Sequence, residues 1–233
     1  MKRSEINQVI SSADEFLKAH QFYLPPFAYW TPADWKKKGQ EVCEIVDSQL
    51  GWDITDFGLG NFQKDGLFLF TIRNGQGGVA TVGQGKKYCE KIMVVEVGQV
   101  TPYHFHWLKM EDIINRGGGR LLVQLYNATP AEDLDQISDV HVSLDGVAHT
   151  IKAGSVVELK PGESITLPHH LYHSFWAEGG RAMVGEVSLV NDDKADNRFR
   201  HAGGRFPEIE EDTDPLYLLV GDYERYFQPK TQS

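Results

Sequence analysis

Residues 98–119 read GQVTPYHFHWLKMEDIINRGGG, and this stretch decides the fold. His104 and His106 are two residues apart, so on a β-strand their side chains share one face, with Cα atoms about 6.7 Å apart. From that spacing two imidazoles can converge on one metal ion. Glu111 adds a carboxylate oxygen donor five residues later, and glycines stand at both ends. The stretch therefore predicts a strand that ends at a metal-binding loop.

Short strand-like runs separated by turn signals surround this stretch. Because many short strands at a spacing of about 8–15 residues indicate an antiparallel barrel or jelly roll, we expect an all-β-dominated fold. The predicted strands are Leu67 to Arg73, Lys91 to Val97, Arg120 to Asn127, Val140 to Leu144, Val156 to Leu159, Ser164 to Leu167, His173 to Ala177 and Ala182 to Val190. The predicted turns are Arg73-Asn74-Gly75, Gly117-Gly118-Gly119, Asp145-Gly146, Ala153-Gly154, Pro161-Gly162 and Gly179-Gly180.

Helical signals are confined to the start of the chain. Apolar residues three and four apart predict an amphipathic helix from Ser4, as N-cap, to about His20. Thr31 followed by Pro32 predicts a short second helix that ends near Gly39. The strand pattern stops after residue 191. We therefore expect helical decoration over 1–60, the β-barrel over 61–191 and a C-terminal extension over 192–233 that packs on the barrel.

Charge and composition exclude several classes of function. The chain has 23 Lys and Arg against 33 Asp and Glu, a net charge of −10, which argues against nucleic acid as a partner. No apolar run approaches the ~20 residues of a membrane span, and the start lacks the apolar region of a secretory signal. Two cysteines, Cys43 and Cys89, provide no disulfide framework and are predicted to be buried thiols. We expect a soluble, cytoplasmic protein.

A second histidine cluster completes a pair of motifs. Gly98-x5-His104-x-His106-x4-Glu111-x6-Gly118 matches the first cupin motif, and Gly162-x5-Pro168-x-His170-x2-His173 resembles the second. The resemblance implies a cupin jelly-roll β-barrel whose metal ligands are His104, His106, Glu111 and His173. His170 stands where the family usually has Gly, so this residue must avoid or tolerate a positive φ.

Two further residues are predicted to act beside the metal. If Glu178-Gly179-Gly180-Arg181 is a hairpin turn, the residue numbers of directly opposed partners add up to 359. His173 then faces Glu186. A spare buried carboxylate beside a metal is suited to act as general base, although a one-residue slip would turn Glu186 to solvent. Lys109 lies between two ligands and is a candidate for binding substrate and stabilising oxyanion charge, with a surface lysine as the alternative. We also place His170 and Asp193 as candidates for substrate contacts.

The whole chain resembles the longer type of the D-lyxose ketol-isomerase family. The strings that carry the resemblance are residues 1–7, MKRSEIN; 24–32, LPPFAYWTP; 101–119; and Gly185-Glu186-Val187-Ser188 followed by Asn191-Asp192-Asp193. It implies a manganese-dependent homodimer that interconverts D-lyxose with D-xylulose and D-mannose with D-fructose. Mixed nitrogen and oxygen ligation leaves Mn²⁺, Fe²⁺, Co²⁺ and Zn²⁺ open, with one divalent ion expected per chain.

The chemistry of the predicted residues agrees with this expectation. Aldose–ketose isomerisation moves a proton between C1 and C2 through a cis-enediol, which needs a base and a cation near O1 and O2. Two alternatives stay open at this point. A metal-dependent cupin dioxygenase or oxidase would use the same ligands for O₂ chemistry, and a sugar-binding cupin would catalyse nothing.

Overall fold

The computed structural model describes residues 1–77, 85–201 and 208–228 of the chain. Its α-helices are α1 (Arg3–Ala19), α2 (Pro32–Trp35), α3 (Cys43–Asp47) and α4 (Tyr223–Tyr226), with 3₁₀ turns at Pro26–Tyr29, Gln40–Val42 and Val220–Asp222. Its strands are β1 (Gly51–Thr55), β2 (Leu67–Arg73), β3 (Cys89–Val95), β4 (Thr101–Phe105), β5 (Glu111–Ala128), β6 (Leu134–Asp135), β7 (Val140–Leu144), β8 (Val147–Ile151), β9 (Val156–Leu159), β10 (Ser164–Leu167), β11 (Leu171–Ser188) and β12 (Arg198–Phe199).

Two long strands, β5 and β11, organise the antiparallel sheet. Each is 18 residues long, they pair with each other along nearly their whole length, and each takes different partners at its two ends. One end of the pair is flanked by β3 on one side and β10 on the other, whereas the other end is flanked by β4 and β9. The all-β-dominated cupin barrel expected from the sequence is confirmed, since the two ends enclose one shared apolar core.

Glycines allow the long pair to bend where the two ends meet. Gly118 has φ +85°, and a Cβ on it would lie 2.2 Å from the carbonyl oxygen of Arg181. A Cβ on Gly119 would lie equally close, 2.2 Å, to the carbonyl oxygen of Gly180. Only glycine fits this close approach. The predicted turns at 117–119 and 178–181 are therefore wrong: the chain bends at both places without reversing direction.

Helix α1 packs on the outer face of the sheet. Its stripe of Ile6, Ile10, Ala13 and Leu17 is fully buried in a second apolar cluster that includes Trp52. The helix begins at Arg3 with Lys2 as N-cap, because the Ser4 hydroxyl donates to Asp212 instead of capping.

The second helix is shorter than predicted. Thr31 caps α2, as expected, but the helix ends at Trp35 and not near Gly39. Of the two cysteines, Cys89 is buried and Cys43 is only half-buried, which corrects the prediction for Cys43. Neither cysteine is in a disulfide.

The C-terminal segment returns to the start of the chain. The Arg3 guanidinium binds Glu211 at 2.8 Å and Asp222 at 2.8 Å, and Tyr223 donates to the carbonyl of Leu50. In the described part of the chain, no helix is long and apolar enough to cross a membrane.

Candidate active site

Three buried histidines converge inside the barrel. His104 lies on β4 and His173 on β11, where the two residues are cross-strand partners, and His106 follows β4 directly. One ring nitrogen from each lies within 4.8 Å of the other two. This group can hold a metal ion.

Backbone carbonyls orient all three rings. Nδ1 of His104 is 2.8 Å from the carbonyl of Pro102, and Nδ1 of His173 is 3.0 Å from that of Leu171. Nδ1 of His106 is 2.7 Å from the carbonyl oxygen of Asp196. A carbonyl only accepts, so each Nδ1 is the donor of its contact and each Nε2 is the ring nitrogen that faces the centre. Metal-binding histidines are typically fixed in this way.

The carboxylate of Glu111 faces the same centre. Its Oε1 is 3.1 Å from Nε2 of His173 and 3.4 Å from Nε2 of His106, while Oε2 is 2.8 Å from Nζ of Lys109. Burial acts to raise the pKa of Glu111, but the charge of Lys109 and the contacts with His106 and His173 outweigh it, so the pKa lies well below its usual value. Burial and the neighbouring imidazoles lower the pKa of His104 well below its ordinary value. An ionised carboxylate and neutral imidazoles are the forms that bind a divalent cation.

Glu186 forms the second half of the site with two lysines. Lys109 Nζ is 2.9 Å and Lys91 Nζ is 3.3 Å from Oε1 of Glu186, and all three side chains are buried. Burial raises the pKa of Glu186, yet the two ammonium charges bring it below the ordinary value. Burial acts against the charge on Lys109, but Glu111 and Glu186 overcome it and raise the pKa of this lysine. The carboxylate is therefore ionised and the ammonium charged at neutral pH. The alternative of a surface position for Lys109 is excluded.

Glu186 reaches the interior by a route that the hairpin argument did not foresee. Between the pairs Glu178–Arg120 and Ala182–Gly118, β11 advances four residues while β5 advances two. Between Met183 and Val184, β11 advances one residue while β5 advances two. The net offset is one residue, which changes the inward positions of β11 from odd to even numbers. Glu186 and His173 both face inward, although the partners of Glu186 are Ile113 and Lys91, not His173.

Several residues of this site were missed from the sequence. Lys91 is one, and strand alternation could have found it, because it shares the inward face of β3 with Met93 and Val95. Asp196 is another: its carboxylate accepts the backbone N–H groups of Leu108 and Lys109 at 2.9 Å each. No local pattern in the sequence marks that long-range contact.

A small cavity of about 40 Å³ joins the two halves of the site. Both the histidine group and the Glu186 group line it, and aromatic rings of Phe57 and Phe199 form part of its wall. The ring of Phe199 stacks on His104 with centroids 5.3 Å apart.

The two remaining candidates for substrate contact differ in position. Asp193 lines the cavity, with a carboxylate oxygen 4.0 Å from Nζ of Lys91. His170 is exposed and is not among the residues that line the cavity; its ring lies against Phe105. Its φ of +60° shows that this non-glycine residue tolerates the left-handed conformation.

The match to a family model covers nearly the whole chain. The model for D-lyxose isomerase matches residues 1–223. The chain belongs to the D-lyxose isomerase family. The D-lyxose/D-mannose isomerase of Serratia proteamaculans is 48% identical over 229 residues, 97% of this chain and 99% of that protein. The D-lyxose/D-mannose isomerase of Escherichia coli O157:H7 is also 48% identical, over 97% of this chain and all of that protein. This member of the D-lyxose isomerase family is a sugar isomerase.

Solved structures share the fold of this D-lyxose isomerase family member. L-ribose isomerase of Cellulomonas parahominis superposes with a TM-score of 0.59 at 17% identity, covering 90% of this chain and 98% of that one. L-ribose isomerase of Acinetobacter sp. DL28, in complex with L-ribose, gives a TM-score of 0.54, also at 17% identity, covering 98% of this chain and 97% of that one. At this identity the likeness extends to the fold alone.

Proposed function

We propose that the protein interconverts D-lyxose and D-xylulose, and D-mannose and D-fructose, through a cis-enediol. One observation carries the proposal: the buried carboxylate of Glu186, which two lysines hold, and a group of three histidines line one cavity. The family match favours isomerisation over the oxidase and the sugar-binding alternatives.

We assign His104, His106, Glu111 and His173 as ligands of one divalent ion. Three imidazole nitrogens and a carboxylate oxygen, without thiolate, suit Mn²⁺, which we propose as the resident ion, with Fe²⁺, Co²⁺ or Zn²⁺ as alternatives. When bound, the ion would supply positive charge that holds and polarises two adjacent sugar oxygens.

The proton transfer itself falls to residues of the chain. Glu186 is the proposed base that takes the proton from C2 of the aldose and returns it to C1, and the reverse for the ketose. The hydroxyl proton of O2 passes to O1 in the same conversion. Lys109, which keeps its charge between Glu111 and Glu186, would stabilise by that positive charge the negative charge that develops on a substrate oxygen. Asp193 would accept from a sugar hydroxyl at the cavity wall. We further propose a cytoplasmic homodimer, as the family resemblance implies.

The proposal is tested by following D-lyxose and D-xylulose by chromatography. Enzyme treated with a chelator should lose activity, and re-addition of Mn²⁺ should restore it. An oxygen electrode run in parallel should show no uptake on addition of substrate. Oxygen consumption, or sugar that is bound without conversion by the Mn²⁺-loaded protein, would contradict the proposal.

A further inference from the structure

A carboxamide lies behind the two lysines of the site. Oδ1 of Asn191 accepts hydrogen bonds from Nζ of Lys91 at 2.7 Å and from Nζ of Lys109 at 3.2 Å. The same two ammonium groups reach Oε1 of Glu186 on their other side. Each ammonium is therefore held between Asn191 and Glu186.

The backbone of Asn191 is itself held by a second asparagine. The N–H of Asn191 donates to Oδ1 of Asn74 at 3.0 Å, and Nδ2 of Asn74 donates to the carbonyl of Asn191 at 3.1 Å. Nδ2 of Asn74 also reaches the carbonyl of Ser48 at 3.3 Å. Because Asn74 is buried at 6% exposure, water competes little for these bonds.

Asn191 completes the hydrogen bonding of Lys109. An ammonium group has three N–H donors and no acceptor. Lys109 uses them on Glu111 at 2.8 Å, on Glu186 at 2.9 Å and on Asn191 at 3.2 Å. Without Asn191 one donor of a buried cation loses its partner, and the group can rotate away from Glu186 to find another.

The groups that contact the carboxylate of Glu186 lie on the same oxygen, Oε1. Within residues 1–77, 85–201 and 208–228, the hydrogen bond to this carboxylate from Lys109 at 2.9 Å ends on Oε1, as does the ion pair with Lys91 at 3.3 Å. The Ser188 hydroxyl lies 3.1 Å from the same oxygen, but its one proton is shared with the carbonyl of Leu189 at 2.8 Å. A carboxylate fixed through one oxygen can use the other to accept a proton. Orientation of this kind accounts for much of the efficiency of a general base.

We propose that Asn191 is a positioning residue, which fixes Lys91 and Lys109 on Oε1 of Glu186 so that Oε2 accepts the substrate proton. The Asn191 amide carries no net charge. It therefore accepts hydrogen bonds from both ammonium groups but attracts them less strongly than the carboxylate of Glu186 does. Asn74 supports Asn191 from behind. The inference rests on the proposed role of Glu186 as base.

The test compares three variants in the metal-loaded enzyme. Asn191→Leu removes the acceptor at similar volume, and we expect kcat to fall about 10- to 100-fold with KM for D-lyxose little changed. Asn191→Asp keeps an acceptor oxygen at the same reach, so its kcat should lie between those of wild type and Asn191→Leu. Asn7→Leu is the control, since Asn7 clamps backbone groups of Asp214 and Leu216 at the protein surface. Its kcat should equal that of wild type.

A readout independent of turnover accompanies the kinetics. Protein with ¹⁵N-labelled lysine should show slowly exchanging side-chain ammonium signals for Lys91 and Lys109 by NMR, which are lost in Asn191→Leu and retained in Asn7→Leu. Wild-type kcat in Asn191→Leu, or ammonium signals unchanged by that substitution, would overturn the inference. So would equal losses of kcat in the Leu and Asp variants. A wild type that shows the signals but converts no sugar would refute the proposed function and leave the lysine contacts established.

Discussion

Asp196 shows how closely the proposed metal ligands depend on a distant part of the chain. Its carbonyl fixes the ring of His106, and its carboxylate holds the backbone at Leu108 and Lys109. The short loop between His106 and Glu111 is therefore tied down at three points. Precise placement of the proposed ligands comes from this contact as much as from the strands.

The proposed ligand set predicts that His104→Ala loses the metal. Removing one of four donors opens the site and leaves a small cavity in place of the ring, while the apolar core of the barrel stays intact. Elemental analysis should show metal content falling from about one ion per chain toward zero, with an unchanged circular dichroism spectrum. His141→Ala is the control, because His141 is exposed, its Nδ1 lies 3.0 Å from the hydroxyl of Thr150, and it is not among the residues that line the cavity. Unchanged stoichiometry in His104→Ala would show that the ligand assignment is wrong.

The proposed base predicts the behaviour of Glu186→Gln. Glutamine keeps the shape and removes the group that takes the proton, so kcat should fall by at least about 100-fold while metal content is retained. Wild-type enzyme should exchange the C2 hydrogen of the substrate with solvent deuterium, followed by NMR, and the variant should not. Undiminished turnover in Glu186→Gln would transfer the base role to Lys109 or Asp193.

At the residue scale, the sequence predicts side chains that lie in local patterns. His104, His106 and Glu111 follow from spacing along one stretch, and His173 from a second motif. Lys91 and Asn191 belong to the same site but were not predicted as site residues, since their contact depends on the pairing of β3 with β11, which Asn191 follows. Such contacts depend on register, which a single sequence does not give.

The bend in β5 and β11 is the decisive feature among the elements, and it predicts that Gly119→Ala is destabilised. The new Cβ would lie 2.2 Å from the carbonyl oxygen of Gly180, so two strands must separate. We expect a loss of about 1–3 kcal/mol in the free energy of unfolding, measured by urea titration. Gly221→Ala is the control, because a Cβ there meets nothing within 4 Å. Equal stability of the two variants would contradict the close approach.

The same bend explains where the prediction of elements failed. Most strands and the hairpin at Asp145-Gly146 are found as predicted, because alternation and turn residues are local signals. Adjacent glycines allow a reversal or a bend equally well. At Gly179-Gly180 the partner strand β5 continues alongside, so β11 bends there and continues in the same general direction. The sequence on its own does not reveal which partner is present.

At the scale of the whole molecule, Arg3 joins the two ends of the chain. It is fully buried and pairs with Asp222, which is 8% exposed, and with Glu211. Arg3→Met would leave the carboxylate of Asp222 buried without its cation, a change that costs about 3–5 kcal/mol. Urea unfolding should show this loss, whereas Arg120→Met, which breaks exposed pairs with Glu158 and Glu178, should cost about 0–1 kcal/mol. Similar effects of both substitutions would show that the buried pair contributes little.

The net offset of one residue at the bend of β11 has a consequence for how such enzymes diverge. His173 lies before the offset and Glu186 after it. The inward positions of β11 therefore have odd numbers in the half with His173 and even numbers in the half with Glu186. Deleting one codon at the bend would remove this offset. The side chain of Glu186 would then face outward, whereas His173, which lies before the bend, would still face inward. On the proposed roles of the histidines and Glu186, a barrel that binds metal and one that also moves protons would thus differ by the length of one codon, with no substitution at any proposed ligand.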